Sequence, residues 1–221
     1  MISYLVTVST ELKEIQTLIP FLVSQKRDKD EIVVLFDRGW TKCMTKRDRW
    51  EVWDYLLEVE GAGSIILHQG NLDLYDQKAQ RALIDFAAFK NFGSSRCLGD
   101  YVFQIDADEK PTINLLRTIE YVTDQGKVDV LFIPRENKVE GLKQQHVTKW
   151  RWNVSEDGLV NWPDFQSRVY RNDMENIRWA GKVHEQIKGY KTWSNLPHEL
   201  PDALDVCLQH YKTIEKQEQQ N

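Results

Sequence analysis

Apolar and polar positions follow two different rhythms along this chain. Ile2 to Ser9 is rich in β-branched and aromatic residues, which suit a pleated, half-buried surface, and reads as a strand. From Glu11 to Val23 the apolar residues recur at Leu12, Ile15, Leu18, Ile19 and Leu22, the spacing that lines one face of a helix. Glu31 to Phe36 is a second, nearly continuous apolar strand running into Asp37, Arg38 and Gly39. Trp50, Trp53 and Leu57 mark a second helix, stopped by Gly61 and Gly63, and Ser64 to His68 is a third strand. Asp76 to Phe92 is expected to form one helix, with Ala79, Leu83, Phe86 and Ala87 on one face and Gly93 as its stop. Asp100 to Asp106 is a fourth strand that ends in acid. Pro111 is expected to open a helix through Leu115, Leu116 and Ile119, and Asp129 to Ile133 is a fifth strand.

Strands that read as apolar runs, alternating with helices, predict an α/β fold with a mostly parallel central sheet covered on both faces. In open sheets of this kind ligands bind at the carboxyl ends of the strands. Asp37, Asp106 and Asp108 stand at or just past two such ends. Beyond Asn137 the pattern changes: five of the eight tryptophans lie between Trp150 and Trp193, among charges and short β-like stretches such as Phe165 to Tyr170. No Gly-, Ser- or Pro-rich linker separates the halves, so they read as one continuous domain. The polar tail from Ile214 to Asn221 reads as a helix start or a frayed end.

Composition narrows the class. With 41% hydrophobic residues in 221, the chain has material for a real core and is not a disordered segment. No apolar run approaches the roughly 20 residues that span a bilayer, and the start lacks a signal-like basic flank. Cys43, Cys97 and Cys207 are far apart with no C-x-x-C pair, so they read as reduced thiols in a cytoplasmic protein. A net charge of −5 disfavours non-specific nucleic-acid binding without excluding a local basic patch.

Asp106 and Asp108 are the sharpest chemical feature. Two carboxylates one residue apart on an extended chain would point the same way and hold one hard divalent cation, which could neutralise a diphosphate. Acidic residues also simply end strands, and a bare D-x-D is common. His68 reads as structural, and His146 and His198 as exposed. Arg168 and Arg171 are expected on one side of a strand, facing a phosphate, an acceptor or solvent. Trp150, Trp152 and Trp162 suit either the core or a stacking surface for a sugar or base.

A resemblance emerges when these stretches are taken in order. Asp85 to Gly93, then Gly99 to Asp108, resemble the A-R-N-x-G and D-A-D block of family 2 glycosyltransferases, with Lys90 in place of the usual arginine. Trp162 to Arg171, Ile177 to Glu185 (with its V-H-E ending) and the His210 segment from Leu208 to Asn221 are similar to the remaining blocks of a small subgroup.

The resemblance implies a GT-A fold in a single domain, with residues 1–136 as the nucleotide-sugar half and 137–221 as the acceptor and catalytic half. It implies a UDP- or GDP-linked donor contacted by Glu11, Asp37, Lys90 and Asp106, and Mn²⁺ or Mg²⁺ held by Asp106, Asp108 and His210. In the pair His184 and Glu185, Glu185 would be the base of an inverting transfer. The departure from D-D-G-S-x-D after Asp37 leaves the nucleotide open. The acceptor would be a saccharide, a lipid-linked glycan, a protein or, less in keeping with the acidic balance, a modified nucleic-acid base. Two other readings stand beside it. One is a non-catalytic nucleotide-sugar or glycan binding protein on the same fold. The other is a nucleotidyltransferase, which ranks lower because Ser9 to Lys13 is not a Gly-rich basic phosphate loop.

Overall fold

The computed structural model describes residues 1–37, 46–70, 73–76, 81–182, 184–197 and 205–220. Its centre is a seven-stranded sheet in the order β13-β8-β10-β6-β1-β2-β3. These strands are β1 (Ile2–Val8), β2 (Glu31–Asp37), β3 (Ile66–Gly70), β6 (Tyr101–Asp106), β8 (Val130–Ile133), β10 (Gln166–Arg171) and β13 (Trp193–Asn195). β1 pairs in parallel with β2 and β6, and β2 with β3. β10 runs antiparallel between β6 and β8. The sheet is therefore mostly parallel, and its edge takes strands from the tryptophan-rich part of the chain.

The apolar runs exist because both faces of this sheet are covered. Tyr4, Val6, Ile32, Val34, Phe103 and Ile105 face one core, with α1 (Leu12–Gln25), α2 (Lys46–Gly61) and α4 (Ile113–Gln125) packed there. Leu5, Val33, Leu35 and Val102 face the other, against α3 (Phe86–Ser94) and the hairpin of β11 (Arg178–Ala180) and β12 (Gln186–Lys188). Alternate residues of each strand thus enter opposite cores, leaving little room for polar positions. A Cβ on Gly93 would lie 2.9 Å from Leu5 Cδ2, so the glycine that was expected to stop the helix also lets α3 sit close on the sheet.

A second, three-stranded sheet lies at the carboxyl end of β6. It joins β7 (Glu109–Pro111), β14 (Leu208–Thr213) and β9 (Arg135–Glu140), in the order β7-β14-β9, and β14 leads into α6 (Ile214–Gln220). The polar tail from Ile214 is thus a short helix that follows a strand. α5 (Gln144–Trp150) completes the described elements with an antiparallel pair, β4 (Asp73–Asp76) and β5 (Arg81–Ile84).

Three expectations are corrected. The single helix from Asp76 to Phe92 is instead β4, β5 and then α3; Ala79 lies outside the described residues. Asp85 caps the helix by accepting a hydrogen bond from Ala88 N at 2.9 Å, so α3 begins after it. Pro111 ends β7, and Thr112 caps α4 by accepting from Leu115 N. His146 is buried rather than exposed, its Nδ1 accepting from Lys143 N at 3.1 Å, while His198 lies outside the described residues. Cys97 and Cys207 are buried thiols, each pushed up to about 12 by burial. Cys43 lies outside the described residues.

Candidate functional site at the carboxyl ends of the strands

The parallel register brings the ends of β1, β2 and β6 together: Thr7 stands beside Asp106, and Val8 beside Phe36, one residue before Asp37. Asp37 closes β2 as a buried residue opposite Gly70 on β3, and residues 38–45 that follow it lie outside the described residues. Glu11 stands at the start of α1, and its Oε2 accepts from Ser9 N at 2.8 Å and Thr10 N at 2.9 Å. That carboxylate shapes the β1–α1 turn.

Asp106 is the hub. Its Oδ1 accepts from Thr7 Oγ1 at 2.9 Å and Gln104 Nε2 at 2.8 Å, and its Oδ2 from Arg168 Nη2. Burial pushes its carboxyl up, but the charges of Arg168 and Lys90 and the hydrogen bonds from Gln104 and Thr7 outweigh this and hold it well below the carboxylate range. Arg168 also donates to Gln104 Oε1 and to Glu109 Oε1, and Glu109 Oε2 accepts from Asp106 N at 3.1 Å. Beyond Glu109 the network continues through Arg135 to Asp164, which also accepts from Asn137 Nδ2 at 2.6 Å.

Arg168 and Arg171 do not share a side, which corrects that expectation. Arg168 lies at a shift of register between Ser167 and Val169 and reaches the carboxylates, whereas Arg171 binds Asp129 Oδ1 and Gly126 O on the opposite margin. Glu109, Gln104 and Thr7 were not singled out from sequence. The signal for Glu109 was its adjacency to the acidic pair, and for the other two a polar residue interrupting an apolar strand.

The V-H-E segment arrives from the opposite direction. Asn91 of α3 exchanges two hydrogen bonds with the Trp179 backbone, at 2.9 Å each, and Phe86 N donates to Lys182 O. The segment then bends sharply, with Gly181 at φ 99° and His184 at φ 56°, the latter a left-handed conformation that costs a non-glycine residue about 1–2 kcal/mol. His184 is left exposed, and Glu185 Oε1 accepts from Lys90 Nζ at 2.6 Å. The same ammonium lies 3.9 Å from Asp106 Oδ1 and 4.6 Å from the centre of the Trp179 ring. Lys90 therefore joins Glu185 to Asp106, although 79 residues of sequence separate those two carboxylates. The K-N pair of the motif thus divides the work: Lys90 holds the carboxylates and Asn91 the segment that delivers one of them.

Asp108 has a different neighbourhood. Ala107 and Asp108 form a tight turn between β6 and β7, so the extended geometry expected to align the two aspartates ends at Asp106. Asp108 Oδ2 lies 3.2 Å from Lys216 Nζ and 3.6 Å from His210 Nε2, while His210 Nδ1 is 2.8 Å from Asn137 Oδ1. Burial pushes the Asp108 carboxyl up, yet His210 and Lys216 hold it down at about 2. Lys216 also reaches Glu14 Oε1 of α1 at 3.3 Å.

Of the residues expected to hold Mn²⁺ or Mg²⁺, the structure brings Asp108 and His210 together, 3.6 Å apart, and gives Asp106 other partners. Such ions need several oxygen donors around one point. Here both oxygens of Asp106 already receive protein donors, and an ammonium lies against Asp108. Among the described residues no group of three or more His, Cys, Asp or Glu side chains is arranged to hold a metal ion.

Trp150 and Trp152 pack as a tilted pair, with centroids 4.7 Å apart, against the small cluster of Val139, Val160 and Ile214, which favours the core over a stacking surface. Among the described residues no helix is long and apolar enough to cross a membrane.

No protein-family model and no curated protein sequence matches the chain. Solved structures do. S. aureus TarS aligns over 95% of this chain and 36% of its own, with a TM-score of 0.57 and 14% identity. TarS 1–349 in complex with UDP-GlcNAc aligns over 96% of this chain and 58% of its own, with a TM-score of 0.58 and 15% identity. The UDP complex of the same protein gives 0.58 and 15% over 95% of this chain and 60% of that one. The chain thus spans between about one third and three fifths of the proteins it resembles. The likeness shows the fold: the α/β, GT-A-type arrangement with its mostly parallel sheet.

Proposed function

We propose that this chain is a glycosyltransferase that moves a sugar from a nucleotide-sugar donor, UDP- or GDP-linked, to an acceptor hydroxyl. One observation carries the reading: Lys90 gathers Asp106 and Glu185 at the carboxyl ends of the parallel strands, the place where open α/β sheets bind ligands. A fold shared with a protein solved with UDP-GlcNAc and with UDP supports a UDP-linked donor.

The donor lies across the ends of β1, β2 and β6, with Asp37 and Glu11 towards the nucleoside and its diphosphate facing Lys90. A diphosphate is a stronger partner for an ammonium than one carboxylate, because it carries more charge and more acceptor oxygens. As Lys90 turns to the diphosphate, Glu185 is released to take the proton of the attacking hydroxyl. The hydroxyl displaces the nucleotide directly, with inversion at the anomeric carbon. Asp106, fixed by Arg168, keeps a negative charge beside Lys90 and holds its side chain at the strand ends. His184 lies at the exposed rim, on the side from which an acceptor approaches. The acceptor is a saccharide, a lipid-linked glycan, a protein or a modified base.

The test is release of nucleoside diphosphate from UDP-GlcNAc and from GDP-sugars by wild type and Glu185→Gln. A positioned base contributes about 10²- to 10⁴-fold, so the variant should bind donor normally and lose turnover on that scale. Binding without turnover in the wild type, with every donor and acceptor, would instead favour a nucleotide-sugar binding protein.

A further inference from the structure

The acidic turn after β6 carries its own cation. Lys216 Nζ lies between two carboxylates from different elements, 3.2 Å from Asp108 Oδ2 and 3.3 Å from Glu14 Oε1. The lysine is carried on α6, directly after β14, and β14 is fixed on both sides, antiparallel to β7 and parallel to β9. The register sets His210 opposite Glu109, so the strand delivering Lys216 is tied to the acidic segment itself. A divalent ion brought to Asp108 would have to expel Lys216.

We propose that Lys216 takes the place of a divalent metal: its ammonium, held by Asp108 and Glu14, is the cation that neutralises the donor's diphosphate, and the site works without Mn²⁺ or Mg²⁺. This rests on the nucleotide-sugar reading above. An ammonium has three N–H donors. One is donated to Glu14 Oε1 and the Asp108 carboxylate pairs with the same ammonium at 3.2 Å, so a phosphate oxygen would take a remaining N–H. As the sugar leaves, Lys216 and Lys90 together face the charge that builds on the departing diphosphate.

The test is calorimetric titration of UDP into wild type, Lys216→Gln and Lys216→Arg, each in EDTA and in Mn²⁺. The proposal predicts wild-type affinities within about twofold in the two buffers. It predicts a loss of about tenfold or more in Lys216→Gln in both buffers, as expected for removal of a hydrogen bond to a charged group. Lys216→Arg should keep most of the affinity, which separates lost charge from lost folding. UDP binding to wild type that requires Mn²⁺ would overturn the proposal and leave the glycosyltransferase reading standing. If neither UDP nor GDP binds wild type in either buffer, the glycosyltransferase reading fails, and this proposal with it.

Discussion

Asp106 and Asp108 are two residues apart, yet they belong to different parts of the molecule. Asp106 ends a central strand and is held by the sheet: Thr7 from β1, Gln104 from its own strand and Arg168 from β10. Asp108 sits on a turn and is held from outside the sheet, by His210 of β14 and Lys216 of α6. The first neighbourhood is a network built on the strands of the central sheet, while the second depends on a strand and a seven-residue helix at the far end of the chain. A D-x-D spacing therefore does not by itself make two ligands of one ion. The strand's end decides whether the second carboxylate follows the first, and here a turn separates them.

The sharpest way to break the contrast is to remove the cation of the closed side. Arg168→Ala takes the shared partner from the buried Glu109 and the partly exposed Asp106, and breaking such a network costs about 3–5 kcal/mol. Urea unfolding should show that loss, whereas removing the half-exposed Lys216 should cost far less; equal costs would erase the distinction. The next test is acid. The Asp108 carboxyl, at about 2 when folded against an ordinary 3.8, stabilises the fold above pH 4, and that contribution fades as pH falls towards 2. The difference corresponds to about 2 kcal/mol. Asp108→Asn should therefore be less stable than wild type at pH 7 by about that amount and nearly equal to it near pH 2; a gap that persists in acid would remove the ionic account. A smaller effect belongs to Asn91→Ala, which deletes two hydrogen bonds to the Trp179 backbone and should cost about 1–2 kcal/mol. It should also lower turnover more than UDP affinity, because Asn91 positions the segment carrying Glu185; equal losses in both would leave it a merely structural residue.

The central sheet was legible because strands buried on both faces must be apolar throughout, and Leu5 and Val6 or Val33 and Val34 show that demand directly. The stretch before α3 was not. Ala79, Leu83 and Phe86 satisfy a helical spacing, but Asp85 is a better cap than an interior helix residue, and the chain pairs β4 with β5 before it. In the site, the individual carboxylates and Lys90 stood out from their motifs. The partners did not. Arg168 reaches Asp106 across 62 residues, and Lys216 meets Glu14 across 202, distances over which only the folded register decides who faces whom. The pairing of Asp108 with Lys216 is the consequence that spacing alone conceals.

The claim that Lys90 faces the donor's diphosphate is tested most directly by titrating UDP into wild type and Lys90→Met, with circular dichroism confirming that the variant folds. The account predicts that UDP affinity falls by about tenfold or more, the value of a charge-assisted contact. Undiminished affinity in a folded Lys90→Met protein would place the diphosphate elsewhere and contradict the account.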